Sequence, residues 1–236
     1  MRKIRKRKTN RNLIYGIVFS AMLFLTVGYS VLTTSLNFNI TAHKNSVTYE
    51  VGDQVEVLGL TQTFHVVEVG EDYLKLLSDQ SEGFSKVAFE PISKFEDSEV
   101  YSTLNFFTRN WKSNITSAGG TTNYYNVNLI SKAEIQNLIL SKDSSVNLSG
   151  TIDFASLGLS WLTDYTYVHD HIGDGSIIGF FTNTLEPRGS SYVLANLVSN
   201  PGHTTGFFNT VLVGTYTYGM DIRPYLTIDI GSVKKI

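Results

Sequence analysis

Between Ser46 and Leu77 apolar side chains recur at every second position, in the runs Val47-Tyr49-Val51, Val55-Val57 and Phe64-Val66, with Val69 closing the last. A period of two marks strands that bury one face. The breaks at Val51-Gly52-Asp53, Leu58-Gly59-Leu60 and Val69-Gly70-Glu71-Asp72 are turn chemistry, so this segment predicts an antiparallel meander. The period lengthens at Glu99–Trp111, where Val100, Leu104, Phe107 and Trp111 share one face of a single amphipathic helix. Trp111 and its aromatic neighbours are therefore core candidates, with a ligand-facing aromatic platform as the alternative. The Gly- and Thr-rich stretch 116–123 reads as an exposed loop.

Ser131 and Glu134 form a Ser-x-x-Glu capping box ahead of Ile135, Leu138 and Ile139, which predicts a helix from Lys132 to about Ser141. Val127 and Leu129 just before it read as a strand. Near the end of the chain, Tyr225 to Ile230 alternates again, with Leu226, Ile228 and Ile230 assigned to the core and Tyr225, Thr227 and Asp229 to the other face. Pro224 lacks the N–H of an interior ladder position and biases Arg223 toward extended geometry, so the Arg-Pro pair marks the start of that strand. Arg223 then stands at the sheet margin, where a planar guanidinium ties a loop carbonyl or carboxylate in place, with ligand contact as the alternative role.

The apolar pattern takes a third form at the amino end. Leu13–Leu32 is a run of 20 residues without Asp, Glu, Lys or Arg, enough at 1.5 Å per residue to cross a hydrocarbon core of about 30 Å. Seven of the chain's 19 basic residues precede it within residues 1–12, which orients that tail toward the cytoplasm and the body outward. Gly28 and Ser30 also fit a signal-peptidase site, so the segment is either a retained anchor or is removed near Ser30. The body beyond it holds 12 basic against 21 acidic residues, an acidic balance that argues against nucleic acid as a partner.

The chain has no cysteine, which excludes disulfides, thiol nucleophiles and cysteine-based zinc sites. It also lacks a Gly-x-Ser-x-Gly elbow, a phosphate loop, a His-Glu-x-x-His helix and a dinucleotide fingerprint. The densest group of potential ligands is His169, Asp170, His171 and Asp174, which a turn would gather around a divalent metal and a strand would split between two faces; His acid–base work and a plain polar loop are the alternatives. No other cofactor is implied.

Residues 27–42 resemble the export segments of surface proteins from low-GC Gram-positive bacteria, and the spacing of residues 51–78 resembles the opening of an exported bacterial family. Three further stretches, 127–139, 159–168 and 219–230, resemble in order the strand-to-helix step, the central Trp-containing motif and the Gly-x-Arg-Pro ending of C-type-lectin-like proteins of the formylglycine-generating-enzyme branch. The resemblance implies an α+β protein: a transmembrane or signal helix followed by a β-rich C-type-lectin-like extracellular domain with one or two short helices. Its divisions are a basic tail (1–12), the apolar segment (13–32), a linker (33–45) and the domain (46–236), with the meander at 46–77 and the lectin-like part at 127–230. It does not bring the family's chemistry, because formylglycine generation there uses cysteine and copper. Glu186-Pro187 keeps part of a calcium-lectin loop, but Arg188 replaces the amide and no Trp-Asn-Asp triplet occurs.

Two functional expectations follow. The first is a noncatalytic module at the cell surface, single-pass or secreted, that binds a wall polymer, glycan or surface protein through loops between Thr163 and Ser191. Its candidate contacts are Trp161, Asp164, Tyr165, Glu186, Arg188 and Arg223. The second is an exported metal-dependent enzyme built on His169, Asp170, His171 and Asp174.

Overall fold

The first part of the body folds by the alternation just described, but one run later than expected. In the computed structural model Val47, Tyr49 and Val51 form no strand. The Asp53 carboxylate accepts the Glu50 N–H at 2.7 Å and Gly52 turns the chain at φ 99°, so residues 50–53 close a tight turn instead. Tyr49 is buried all the same, its hydroxyl donating to the Val233 carbonyl at 2.8 Å.

The structure describes residues 47–85, 94–166, 178–188, 191–199, 204–209 and 220–236. The apolar segment 13–32 and the candidate metal ligands His169, Asp170, His171 and Asp174 lie outside the described residues. Among the described residues no helix is long and apolar enough to cross a membrane. Thr48–Ile236 forms one unit, a sheet-rich α+β body.

Its strands in chain order are β1 (Gln54–Val57), β2 (Thr63–Val69), β3 (Tyr73–Ser78), β4 (Gly83–Ser85), β5 (Asn126–Asn128) and β6 (Ile152–Asp153). They continue as β7 (Ile178–Arg188), β8 (Ser191–Ser199), β9 (Thr205–Asn209), β10 (Met220–Ile222), β11 (Tyr225–Asp229) and β12 (Val233–Lys235). One sheet has the order β12-β1-β2-β3-β11-β5, with antiparallel pairing throughout. The other has the order β4-β10-β7-β8-β9-β6, antiparallel except where β10 pairs with β7.

Among the described residues three α-helices accompany the sheets: α1 (Glu99–Thr108), α2 (Trp111–Ser117) and α3 (Lys132–Lys142). The single helix expected over Glu99–Trp111 is thus two. Ser98 caps α1 by accepting the Tyr101 N–H at 3.0 Å, and the Thr108 hydroxyl bonds back to the Leu104 carbonyl at 2.9 Å near its end. The break sends one apolar face to two places. Val100 and Leu104 pack with Phe95, Leu129, Phe181 and Ile222, while Trp111 and Ile115 cover the first sheet, Trp111 meeting Phe64 edge-on at 5.9 Å. Phe107, expected inside, is exposed.

The capping box forms as expected. Ser131 Oγ accepts the Glu134 N–H at 3.1 Å, and Glu134 Oε2 accepts the Ser131 N–H at 2.9 Å. Glu134 Oε1 also accepts the Tyr225 hydroxyl at 3.2 Å and faces Lys75 at 3.5 Å, which ties α3 to the first sheet.

Both faces of the strand beginning at Tyr225 are buried, which the alternation did not anticipate. Leu226 and Ile228 face the Trp111 side, whereas Tyr225 packs with Leu77, Trp161 and Phe180 in a second cluster. A bulge in β2 between Val66 and Glu68 achieves the same for two consecutive residues, Val66 in the first cluster and Val67 in the second.

Candidate functional site

Arg223-Pro224 is the point at which the chain leaves one sheet for the other. β10 ends at Ile222 in the second sheet and β11 starts at Tyr225 in the first. The facing chain makes the same step. Ser78 N–H donates to the Pro224 carbonyl at 3.0 Å and Glu82 N–H to the Ile222 carbonyl at 3.0 Å, while Asp79, Gln80 and Ser81 swing away between them. Thr166 fills the gap, its N–H donating to the Asp79 carbonyl at 2.9 Å and its carbonyl accepting the Ser81 N–H at 2.8 Å.

The Arg223 side chain occupies this junction and has no exposed surface. Nη1 donates to the Leu162 carbonyl at 2.8 Å, Nη2 to the Trp161 carbonyl at 2.8 Å, and Nε to the Ser78 carbonyl. Its guanidinium lies 4.7 Å from the Tyr165 ring centroid and 5.3 Å from that of Phe180. Burial pulls its pKa down to about 10, while Tyr165, Asp79, Asp164 and Asp221 act in the opposite sense, so the group stays cationic at neutral pH. The planar fork reaches three carbonyls in divergent directions, which a lysine ammonium cannot do with one nitrogen.

A second polar group adjoins it. Asp79 accepts from Gln54 Nε2 at 2.8 Å and from the Thr63 hydroxyl at 2.8 Å, pairs with His65 Nδ1, and lies 3.9 Å from Arg223 Nη2. Burial disfavours its charge, but the bonds from His65 and Gln54, with the His65 charge and the Thr63 bond, outweigh this and hold the carboxyl below the usual aspartate range. The His65 ring stacks on Trp161 at 5.0 Å and 5°. Asp221, fully buried, accepts the Tyr165 hydroxyl at 3.0 Å.

Trp161, Tyr165 and Arg223 are therefore brought together, as buried parts of one junction. Asp164 is exposed at its edge. Glu186 lies apart on β7, where it pairs with Lys132 at the start of α3. β7 also corrects the expectation of loops across Thr163–Ser191, since an 11-residue strand occupies Ile178–Arg188. His65, Asp79 and Asp221 were not among the residues the sequence nominated. Their signal is positional: Phe64 pairs with Ser78 across β2 and β3, so His65 and Asp79 flank that pair on adjoining strands.

Chemically, Asp79 can orient the His65 imidazole. It would be the acid–base half of a catalytic group if a nucleophile or oxyanion donors faced it. The hydroxyl beside it, that of Thr63, instead donates to the same carboxylate. Among the described residues no three His, Asp or Glu side chains are placed to hold a metal.

No family model, curated protein or solved structure matches this chain.

Proposed function

We propose that the chain is a noncatalytic recognition module of C-type-lectin-like architecture, held outside the cell membrane by residues 13–32 or released after cleavage near Ser30. It binds a wall polymer, glycan or surface protein through the connection that follows Thr166. The observation that carries this reading is Arg223. A fully buried cation whose donors go to the carbonyls of Trp161, Leu162 and Ser78 fixes the root of that connection and leaves no donor facing solvent for substrate. A fixed root ahead of a chemically varied sequence, residues 167–177, suits a recognition surface. Among the described residues the first strand of the body pairs with the last, Val55 opposite Lys235, which closes that sheet edge.

The test is binding of the detergent-solubilised full chain to an array of glycans and cell-wall polymers, with calcium and again with chelator. Calcium-independent binding that is lost on replacing residues 167–177 supports the reading. Silence across wall polymers, glycans and cross-linked surface proteins would refute it. Metal analysis of the same preparation addresses the enzyme alternative: zinc or copper at one equivalent, released by replacing His169 and His171, would favour a metal-dependent enzyme.

A further inference from the structure

Away from the Arg223 junction, three segments meet around an open recess of about 490 Å³: the β2–β3 turn at Asp72, residues 121–124, and the β11–β12 connection at 229–231. The segments are fastened to one another by hydrogen bonds, one between main-chain groups and two through the Ser232 hydroxyl. Ile230 N–H donates to the Asp72 carbonyl at 3.0 Å, and Ser232 Oγ both accepts the Thr121 N–H at 2.7 Å and donates to the Thr121 carbonyl at 2.8 Å. The recess is thus part of the fold, with walls held in place before any ligand arrives.

Its chemistry is one-sided. Asp72 and Asp229 line it and, among the described residues, no basic side chain does. Asp229 is buried, with one oxygen accepting Asn123 Nδ2 at 2.9 Å and the other the Tyr124 N–H at 3.2 Å. A carboxylate oxygen carries two lone pairs, so each retains acceptor capacity after these bonds. Asp72 is exposed and its carboxylate has no ion-pair partner among the described residues. Tyr124 leans on Tyr73 at 5.5 Å and 39°, and Tyr73 is itself fixed by its hydroxyl bond to Glu68 at 2.8 Å. That leaves 43% of Tyr124 exposed as an aromatic wall.

An anion would meet two carboxylates here, and a purely apolar ligand would strand them. An aromatic face beside acceptors suits a ring with one apolar side and polar edges, and the unbalanced negative charge selects for a cationic substituent. We propose that this recess binds a protonated amino sugar, with the ring against Tyr124 and the ammonium group toward Asp72. Its lining shares no residue with the Arg223 junction, so the proposal does not rest on the function proposed above.

Gly231 provides a clean probe. A Cβ built there meets nothing within 4 Å, so the backbone accepts a side chain and Gly231→Leu adds bulk at the recess wall. The full chain is titrated calorimetrically at pH 6 with a glucosamine tetramer, its fully N-acetylated counterpart, cellotetraose and lysine amide. The glucosamine tetramer is expected to bind at least tenfold tighter than the other three and to weaken with salt. Asp72→Asn should reduce its affinity about fivefold and Tyr124→Ala about tenfold, the scale of one exposed ion pair and one stacking contact. Gly231→Leu should abolish binding with the unfolding temperature unchanged. Equal binding of the acetylated or neutral tetramer overturns the ammonium assignment, and lysine amide binding as tightly overturns the sugar. Full affinity in Gly231→Leu, or no binding by any tetramer, overturns the site.

Discussion

Replacing Arg223 by Met keeps a similar length of side chain and removes both the charge and the fork. Three carbonyls, those of Ser78, Trp161 and Leu162, lose their donors in a region with no solvent access to replace them. At about 1 kcal/mol for each net bond this is about 3 kcal/mol, and the two aromatic faces at 4.7 and 5.3 Å add on the order of 1 to 2 kcal/mol. Asp79 and Asp221 also lose the charge of Arg223, while Met recovers part of the total through apolar packing. The expected loss is about 4 kcal/mol, a large share of the roughly 5 to 15 kcal/mol that a domain possesses. Arg223→Lys keeps the charge but reaches fewer carbonyls, so about 2 to 3 kcal/mol is expected. Urea titrations followed by tryptophan fluorescence measure both, because Trp161 contacts the junction directly. The local signature is faster amide exchange at Leu162, Thr163, Asp164 and Thr166, out of proportion to the global loss. A Met variant within 1 kcal/mol of the parent, or exchange there that follows the global change alone, would refute the claim that Arg223 is what fixes this segment.

Two other outcomes follow from single positions. Gly59 sits at φ +77°, and a Cβ there would come within 2.3 Å of the Asn114 carbonyl oxygen, so Gly59→Ala should cost about 2 kcal/mol; an unchanged denaturation midpoint would mean that α2 yields freely. Asp79 is depressed in the folded state, so its contribution is present above the unfolded value of about 4 and is lost as pH falls through the lower folded value. Denaturant midpoints recorded from pH 7 to pH 2 should therefore fall more steeply below about pH 4 for the parent than for Asp79→Asn, and parallel curves would assign the acid sensitivity elsewhere.

Local periodicity carried far in this chain wherever one residue pattern sufficed to fix one element. The meander, the capping box at Ser131 and Glu134, and the strand after Pro224 all follow from neighbours within a few positions. The division of α1 from α2 was hidden because Arg109 and Asn110 carry no Gly or Pro, and the break is set by where Trp111 must pack. The second sheet was hidden for a different reason. Its Asp221–Phe180 pairing joins residues 41 positions apart, and β7 is interrupted by a register shift between Phe181 and Leu185 that blurs its alternation. His65 and Asp79 illustrate the limit for site residues, since neither has a motif and only the register of β2 against β3 makes them neighbours.

The opposite holds for Arg223-Pro224, where a two-residue signal carried more structure than a strand start. A proline has no N–H to lend a ladder, so the pairing with Ser78 to Glu82 has to lapse on one side of it. A lapse in the middle of a core leaves main-chain carbonyls without donors, and that is costly unless a side chain supplies several at once. Arginine is the side chain with enough donors to do so while also presenting flat faces to Tyr165 and Phe180. The adjacency of the two residues thus reflects one physical requirement: proline ends the ladder so that the chain can pass between sheets, and arginine satisfies the groups that the passage would otherwise strand. Because two of those groups belong to Trp161 and Leu162, the same solution fixes the segment leading to Thr166. The beginning of the connection that follows is thereby set by the core, whatever residues the connection itself contains.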